Sequence, residues 1–151
     1  WIACEVWDWG TLSHLFSGLK PLDRDNIARK FGNFTGKELN SWMHSLNIVR
    51  NICAHHSRLW NRDLGIKPSL PNVGIYTDLD HVPRKHGTNQ VVGRLYTALS
   101  IMNVMIGSMN SNRSSWHRRI KDLSLNGPTN RLISSHSAGF PDNWDQQNIW
   151  L

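Results

Sequence analysis

TGKELNSWMHSLNIVRNICAHHSRLW, residues 35–60, is the stretch that decides how the chain folds. Thr35-Gly36-Lys37-Glu38 has the form of a capping box: the threonine hydroxyl accepts from the amide three residues on, and the glutamate reaches back to the threonine amide. A helix is therefore expected over about 36–60. At about 100° per residue, Leu39, Trp42, Met43, Leu46, Val49, Cys53 and Trp60 form one broad apolar face, and Ile48, Ile52 and Leu59 form a second. A helix that is apolar on two sides is wedged between neighbours. The one continuous polar stripe holds Asn47, Arg58, Asn51, His44 and His55 within roughly 80°. Arg50 lies at the edge of the main apolar face, and His56 falls in the buried sector.

The flanks read as further helices. Ile2, Val6, Trp9, Leu12, Leu15 and Phe16 recur near every 3.6 residues over 1–17, with Gly18 and Pro21 ending the pattern. A shorter helix is predicted from Asp23 as N-cap through Ile27, Ala28 and Phe31 to Gly32. Residues 61–90 carry Pro68, Pro71, Pro83, Gly65, Gly74 and Gly87 with little periodicity and read as a long connection, a kind usually functional or mobile. A core helix is expected over 91–109, and another over 113–125 with Trp116, Ile120 and Leu123 inward and Arg118, Arg119 and Lys121 outward. Ala138 to Trp144 is a turn-rich strap whose aromatics would dock on the bundle. With no repeat and no convincing strand, the fold class is all-α, in a single domain spanning 1–151.

Bulk properties narrow the partners. At 151 residues, with 39% hydrophobic residues and eight tryptophans, the chain is long and apolar enough for one core, which excludes disorder along its whole length. Its 17 Lys plus Arg outnumber 11 Asp plus Glu, a net +6 that favours an anionic partner such as nucleic acid. Cys4 and Cys53 lie in apolar patterns without a spacing motif and read as reduced core thiols of a cytoplasmic protein. No apolar run approaches the roughly 20 residues of a membrane span, so no membrane partner is expected. The start at Trp1, inside an apolar helical pattern, suggests a chain whose N-terminal region is missing.

The chemistry concentrates at 50–62, where Arg50, His55, His56, Arg58 and Arg62 crowd one short run. Imidazole transfers protons near neutral pH, and guanidinium matches the paired oxygens of a phosphate. Together they suffice to cleave RNA through its 2'-hydroxyl without a metal or other cofactor. No convincing carboxylate cluster accompanies them, as a two-metal nuclease would want. Cys53 with His55 and His56 is poor ligand arithmetic for zinc, and Gly32 to Lys37 fails as a phosphate loop, with three residues between its glycines and Glu38 where Ser or Thr should follow. The tryptophans at helical spacing read as core. Arg50 and His55 are five residues apart, hence about 140° apart on a straight helix. Either the arginine curls back, or the helix distorts, or the two act with copies from a second motif; the last, a composite site across a homodimer, is the favoured expectation.

Arg50-Asn51-Ile52-Cys53-Ala54-His55 fits the R-N-x-x-x-H signature of HEPN-superfamily ribonucleases, and the longer run to Asn61 resembles the abortive-infection Abi-like family. Trp7 to Ser13, Gly65-Ile66-Lys67-Pro68, and Gly139-Phe140-Pro141 with Trp144 are similar to the family's flanking segments. The resemblance implies an all-α HEPN-like helical bundle with a long irregular loop after the motif helix. It also implies dimerisation, and RNA cleavage that aborts growth of a phage-infected bacterium. Carried over, Arg50 and His55 are the catalytic pair, with Asn51 and His56 supporting them. The residue chemistry adds Arg58, Arg62, His44 and Asn47 as RNA contacts. The competing expectation is a catalytically silent RNA- or protein-binding module, partnered by a regulatory RNA or an antitoxin.

Overall fold

The computed structural model describes residues 8–84, 93–109, 115–126 and 134–151. Among these the chain is all-α: α1 (Trp9–Gly18), α2 (Pro21–Phe31), α3 (Gly36–Ala54), α4 (Leu95–Met109) and α5 (Trp116–Asn126), with 3-10 turns at Thr77–Leu79, Ser135–Ala138, Trp144–Gln146 and Asn148–Trp150 and no strand. The expected helical residues 1–7, with Cys4, and residues 85–92 and 110–114 of the later patterns lie outside the described residues. α1, α2 and α4 all pack against α3.

The capping box forms as the sequence predicts. The Thr35 N–H donates to Glu38 Oε2 at 2.8 Å, and the Glu38 N–H donates to Thr35 Oγ1 at 3.2 Å. Next to it, α2 approaches so closely that a Cβ on Gly36 would lie 2.6 Å from Arg24 Cβ and 2.8 Å from the Asp25 nitrogen. The Gly36 N–H donates instead to Asp25 Oδ1 at 2.7 Å, so glycine at this position lets the two helices meet. The other starts differ from expectation. α2 begins at Pro21, whose fixed φ suits a first helical position, and Asp23 sits in the first turn and not at the cap. α1 begins only at Trp9, because the Asp8 carboxylate accepts the Thr11 N–H at 2.7 Å and holds Asp8 extended.

Trp42, fully buried, anchors α3 to the long connection. Its indole N–H donates to the Ser69 carbonyl at 2.7 Å, Phe34 packs edge-on at 4.5 Å, and the Ser69 N–H donates to Ser41 Oγ at 2.9 Å. Leu64, Pro68, Pro71, Leu79 and Val82 of the connection are buried. The described part of this segment is therefore packed structure in its own right. The strap docks as expected: Phe140, Trp144 and Trp150 are buried around Tyr96, and the Trp150 indole donates to the Tyr96 hydroxyl at 3.1 Å. Burial also pushes the Tyr96 hydroxyl above its ordinary range. On α5, Trp116 and Ile120 face the core, but Leu123 is 68% exposed and Lys121 turns inward, its Nζ donating to the Asp145 carbonyl at 2.8 Å. α5 packs chiefly on the Asn148–Trp150 turn. Its buried stripe is correspondingly short.

The largest departure is at the end of α3, six residues before the expected 60. His55 is the C-cap. His56 takes the left-handed conformation (φ 52°), its N–H donating to the Cys53 carbonyl at 3.0 Å, and the Ser57 N–H donates to the Ile52 carbonyl at 3.0 Å. This is the Schellman pattern of helix termination, here with histidine where glycine is usual. The helical wheel stops applying beyond it. His56 is exposed where the wheel buries it, Arg58 leaves the polar stripe, and Leu59 and Trp60 are half-buried outside the helix. Cys53, expected in the core, is exposed. Replacing His56 by glycine removes the left-handed penalty and should stabilise the fold by about 1 kcal/mol, read from the urea denaturation midpoint.

Candidate functional site

The end of α3 presents three groups together. Exposed Arg50 curls toward its neighbour, donating from Nη1 to Asn51 Oδ1 at 2.9 Å. The Asn51 carbonyl in turn accepts the His55 N–H at 3.0 Å, so half-buried Asn51 links the arginine to the exposed histidine one turn on. Among the described residues no hydrogen bond joins Arg50 to His55. His56, also exposed, follows on the left-handed turn.

The other expected contacts separate into two groups. Asn47 is half-buried under α1, its amide within 3.6 Å of the position a Gly10 Cβ would take. His44 is exposed but lies eleven residues before His55, about 16 Å along the helix axis. That distance is too great for the two imidazoles to share one proton transfer. Beyond the turn, Ser57, Arg58, Asn61, Arg62 and Asp63 surround a polar hollow of about 460 Å³. Its backbone is pinned to the C-terminal strap: Trp60 stacks on Phe140 at 5.9 Å and donates to the Ser134 carbonyl at 3.2 Å.

Two residues were missed from sequence. Arg94 bridges the hollow to the strap, donating from Nη1 to Asn61 Oδ1 at 3.1 Å and to the Ser137 carbonyl at 3.3 Å. Nothing in the sequence links it to a partner 33 residues away. Asp8 lies near Arg50, and its carboxyl is held below the ordinary 3.8, first by hydrogen bonding to Thr11 and more weakly by the Arg50 charge. Its signal was the Asp-x-x-Thr spacing of a helix cap. Among the described residues, no three His, Cys, Asp or Glu side chains are grouped as metal ligands, and no helix is long and apolar enough to cross a membrane.

Among the described residues the fold is an all-α bundle whose central helix carries Arg50, Asn51 and His55 at its C-terminal end. The family model described as Abi-like protein matches residues 1–61, from before α1 through the motif to Asn61. Over those residues the chain is similar to the Abi-like family. The similar segments at Gly65 to Pro68 and Gly139 to Pro141 lie beyond the matched residues. No curated protein and no solved structure matches the chain.

The Asp8 charge gives a test of the arrangement. With its folded pKa lowered, the carboxylate contributes stability that is present above the unfolded value near 3.8 and lost as the pH falls through the lower folded value. Asp8→Asn, still a capping residue, should therefore show a shallower acid loss of stability than the wild type. In Arg50→Ala the Asp8 carboxyl should titrate at higher pH by NMR.

Proposed function

We propose that the chain is a metal-independent endoribonuclease of HEPN type acting in abortive-infection defence. The observation that carries this reading is the presentation of Arg50, Asn51 and His55 at the open end of α3, beside an arginine-lined hollow. His55 exchanges a proton with the ribose 2'-hydroxyl or the leaving 5'-oxygen. The 2'-oxygen bonds to phosphorus as the P–O5' bond breaks, giving a 2',3'-cyclic phosphate and a 5'-hydroxyl. Arg50, oriented by Asn51, stabilises the charge that develops on the phosphoryl oxygens. His56 stands beside this centre as a supporting imidazole. Arg58 and Arg62 hold flanking phosphates, and His44 and Asn47 lie along the approach.

The reaction needs one proton removed and one supplied, which favours pairing two motifs in a homodimer. An apolar groove of about 430 Å³ supports that pairing: it runs between Trp9, Val49 and Met105 and is bordered by Arg50 and Cys53 themselves. A second copy seated there would bring its own motif close. A silent RNA-binding module is the second reading. It is favoured by the lack of a hydrogen bond between Arg50 and His55 within one chain.

Incubation with total RNA in EDTA separates these readings. Cleavage with cyclic-phosphate ends is expected, falling by about two to four orders of magnitude in Arg50→Ala and His55→Ala. Salt-sensitive binding without cleavage supports the silent module, and loss of activity in EDTA contradicts the mechanism. Mixing inactive Arg50→Ala and His55→Ala chains should restore activity if the site is composite. Full activity in a strictly monomeric preparation contradicts a composite site.

A further inference from the structure

α4 separates the groove beside Arg50 from a second pocket on its other side. This pocket, of about 190 Å³, brings together Asp78 from the long connection, Asn103, Gly107 and Ser108 from α4, His117 from α5, and Ile149 from the strap. None of its lining residues belongs to the Arg50–Arg62 site.

Tyr76, Val104 and Ile106 complete the lining, so the Tyr76 hydroxyl and the His117 imidazole stand beside the acceptors contributed by three other residues. Ser108 directs its hydroxyl proton back into the helix, toward the Val104 and Met105 carbonyls at 3.1 and 2.9 Å, which leaves its oxygen as an acceptor. Asn103 donates one N–H of its amide to the Ile149 carbonyl at 2.6 Å, and its Oδ1 is an acceptor as well. Asp78 supplies a carboxylate. The adjacent His81 does not neutralise it: burial holds that imidazole below its ordinary 6.5, against the opposing pull of Asp78 and Asp80. With histidine counted neutral, Asp78 is the one formally charged side chain of the lining, on a chain of net charge +6.

Gly107 adds an independent observation. Glycine inside a helix costs about 1 kcal/mol relative to alanine, and a Cβ here would meet nothing within 4 Å. Packing therefore does not require glycine at 107. What its missing side chain leaves open is the pocket.

We propose that this pocket binds a small organic cation, whose ammonium or guanidinium group donates to Asp78, Asn103 Oδ1 and Ser108 Oγ while its carbon skeleton lies on Val104 and Ile149. One carboxylate and an apolar wall suit an organic cation better than a hard metal ion, which takes six or more oxygens in the case of calcium. The proposal is independent of RNA cleavage.

Agmatine, which carries both cationic groups, is the probe, titrated into the full chain by calorimetry. Saturable binding to one site is expected. Affinity should fall at least about tenfold in Asp78→Asn and in Gly107→Leu, whose side chain grows into open space, and should persist in Asp142→Asn, an exposed carboxylate elsewhere. Circular dichroism checks that each variant is folded, and Gly107→Leu carries the test if Asp78→Asn is not. No saturable binding at low-millimolar agmatine overturns the proposal. So does binding that is equal in the wild type and both pocket variants, or full displacement of agmatine by magnesium or calcium.

Discussion

The structure depends on the complete burial of Trp42 on α3. A tryptophan buried without a partner for its N–H would forfeit much of the gain from its apolar area. Here the Ser69 carbonyl accepts that N–H, and Ser41 on the preceding position accepts from the Ser69 amide in return. One side chain thus ties the central helix to the middle of a connection with almost no regular structure. With that connection fixed, α1 and α2 close one flank of α3, Trp9 donating to the Met43 carbonyl at 2.9 Å, and α4 closes another. The C-terminal strap then seals α4 through the Tyr96 aromatic cluster.

The candidate site arises where this packing stops. α3 ends at Ala54, and the left-handed turn at His56 sends the chain away before its polar stripe can continue. Consecutive histidines are thereby exposed together, and Arg58 and Arg62 are carried onto a separate hollow held by Trp60 and Arg94. The electrostatics follow from the same ending. Asp8 at the head of α1 lies near Arg50, so an anionic group faces the guanidinium from the same chain, and the Arg50 side chain leans on Asn51.

Among the described residues, the apolar face of α3 is longer than the cover provided for it. Leu39, Trp42 and Leu46 are buried, while Val49 and Cys53 line an open groove beside Arg50. This explains why Cys53, read as a core thiol, is exposed. It also puts uncovered apolar surface next to the catalytic candidates. In the polar pocket across α4, Asn103 and Ser108 donate to carbonyls of the fold and keep acceptor oxygens.

The sequence by itself determined what is local. The Thr35–Glu38 capping box, the apolar periodicity of α3 and α4, the all-α class and the R-N-x-x-x-H spacing all depend on residues within a few turns of one another, where backbone geometry leaves little choice. Only the tertiary structure decided where α3 stops, because nothing in Ala54-His55-His56 marks a helix end in the way glycine does; histidine takes the left-handed position against its own preference. It also decided that Lys121 turns inward and Leu123 outward, that Arg94 reaches Asn61, and that Asp8 neighbours Arg50. Each is a meeting between distant segments, set by how the connection and strap pack and not by the period of any one helix.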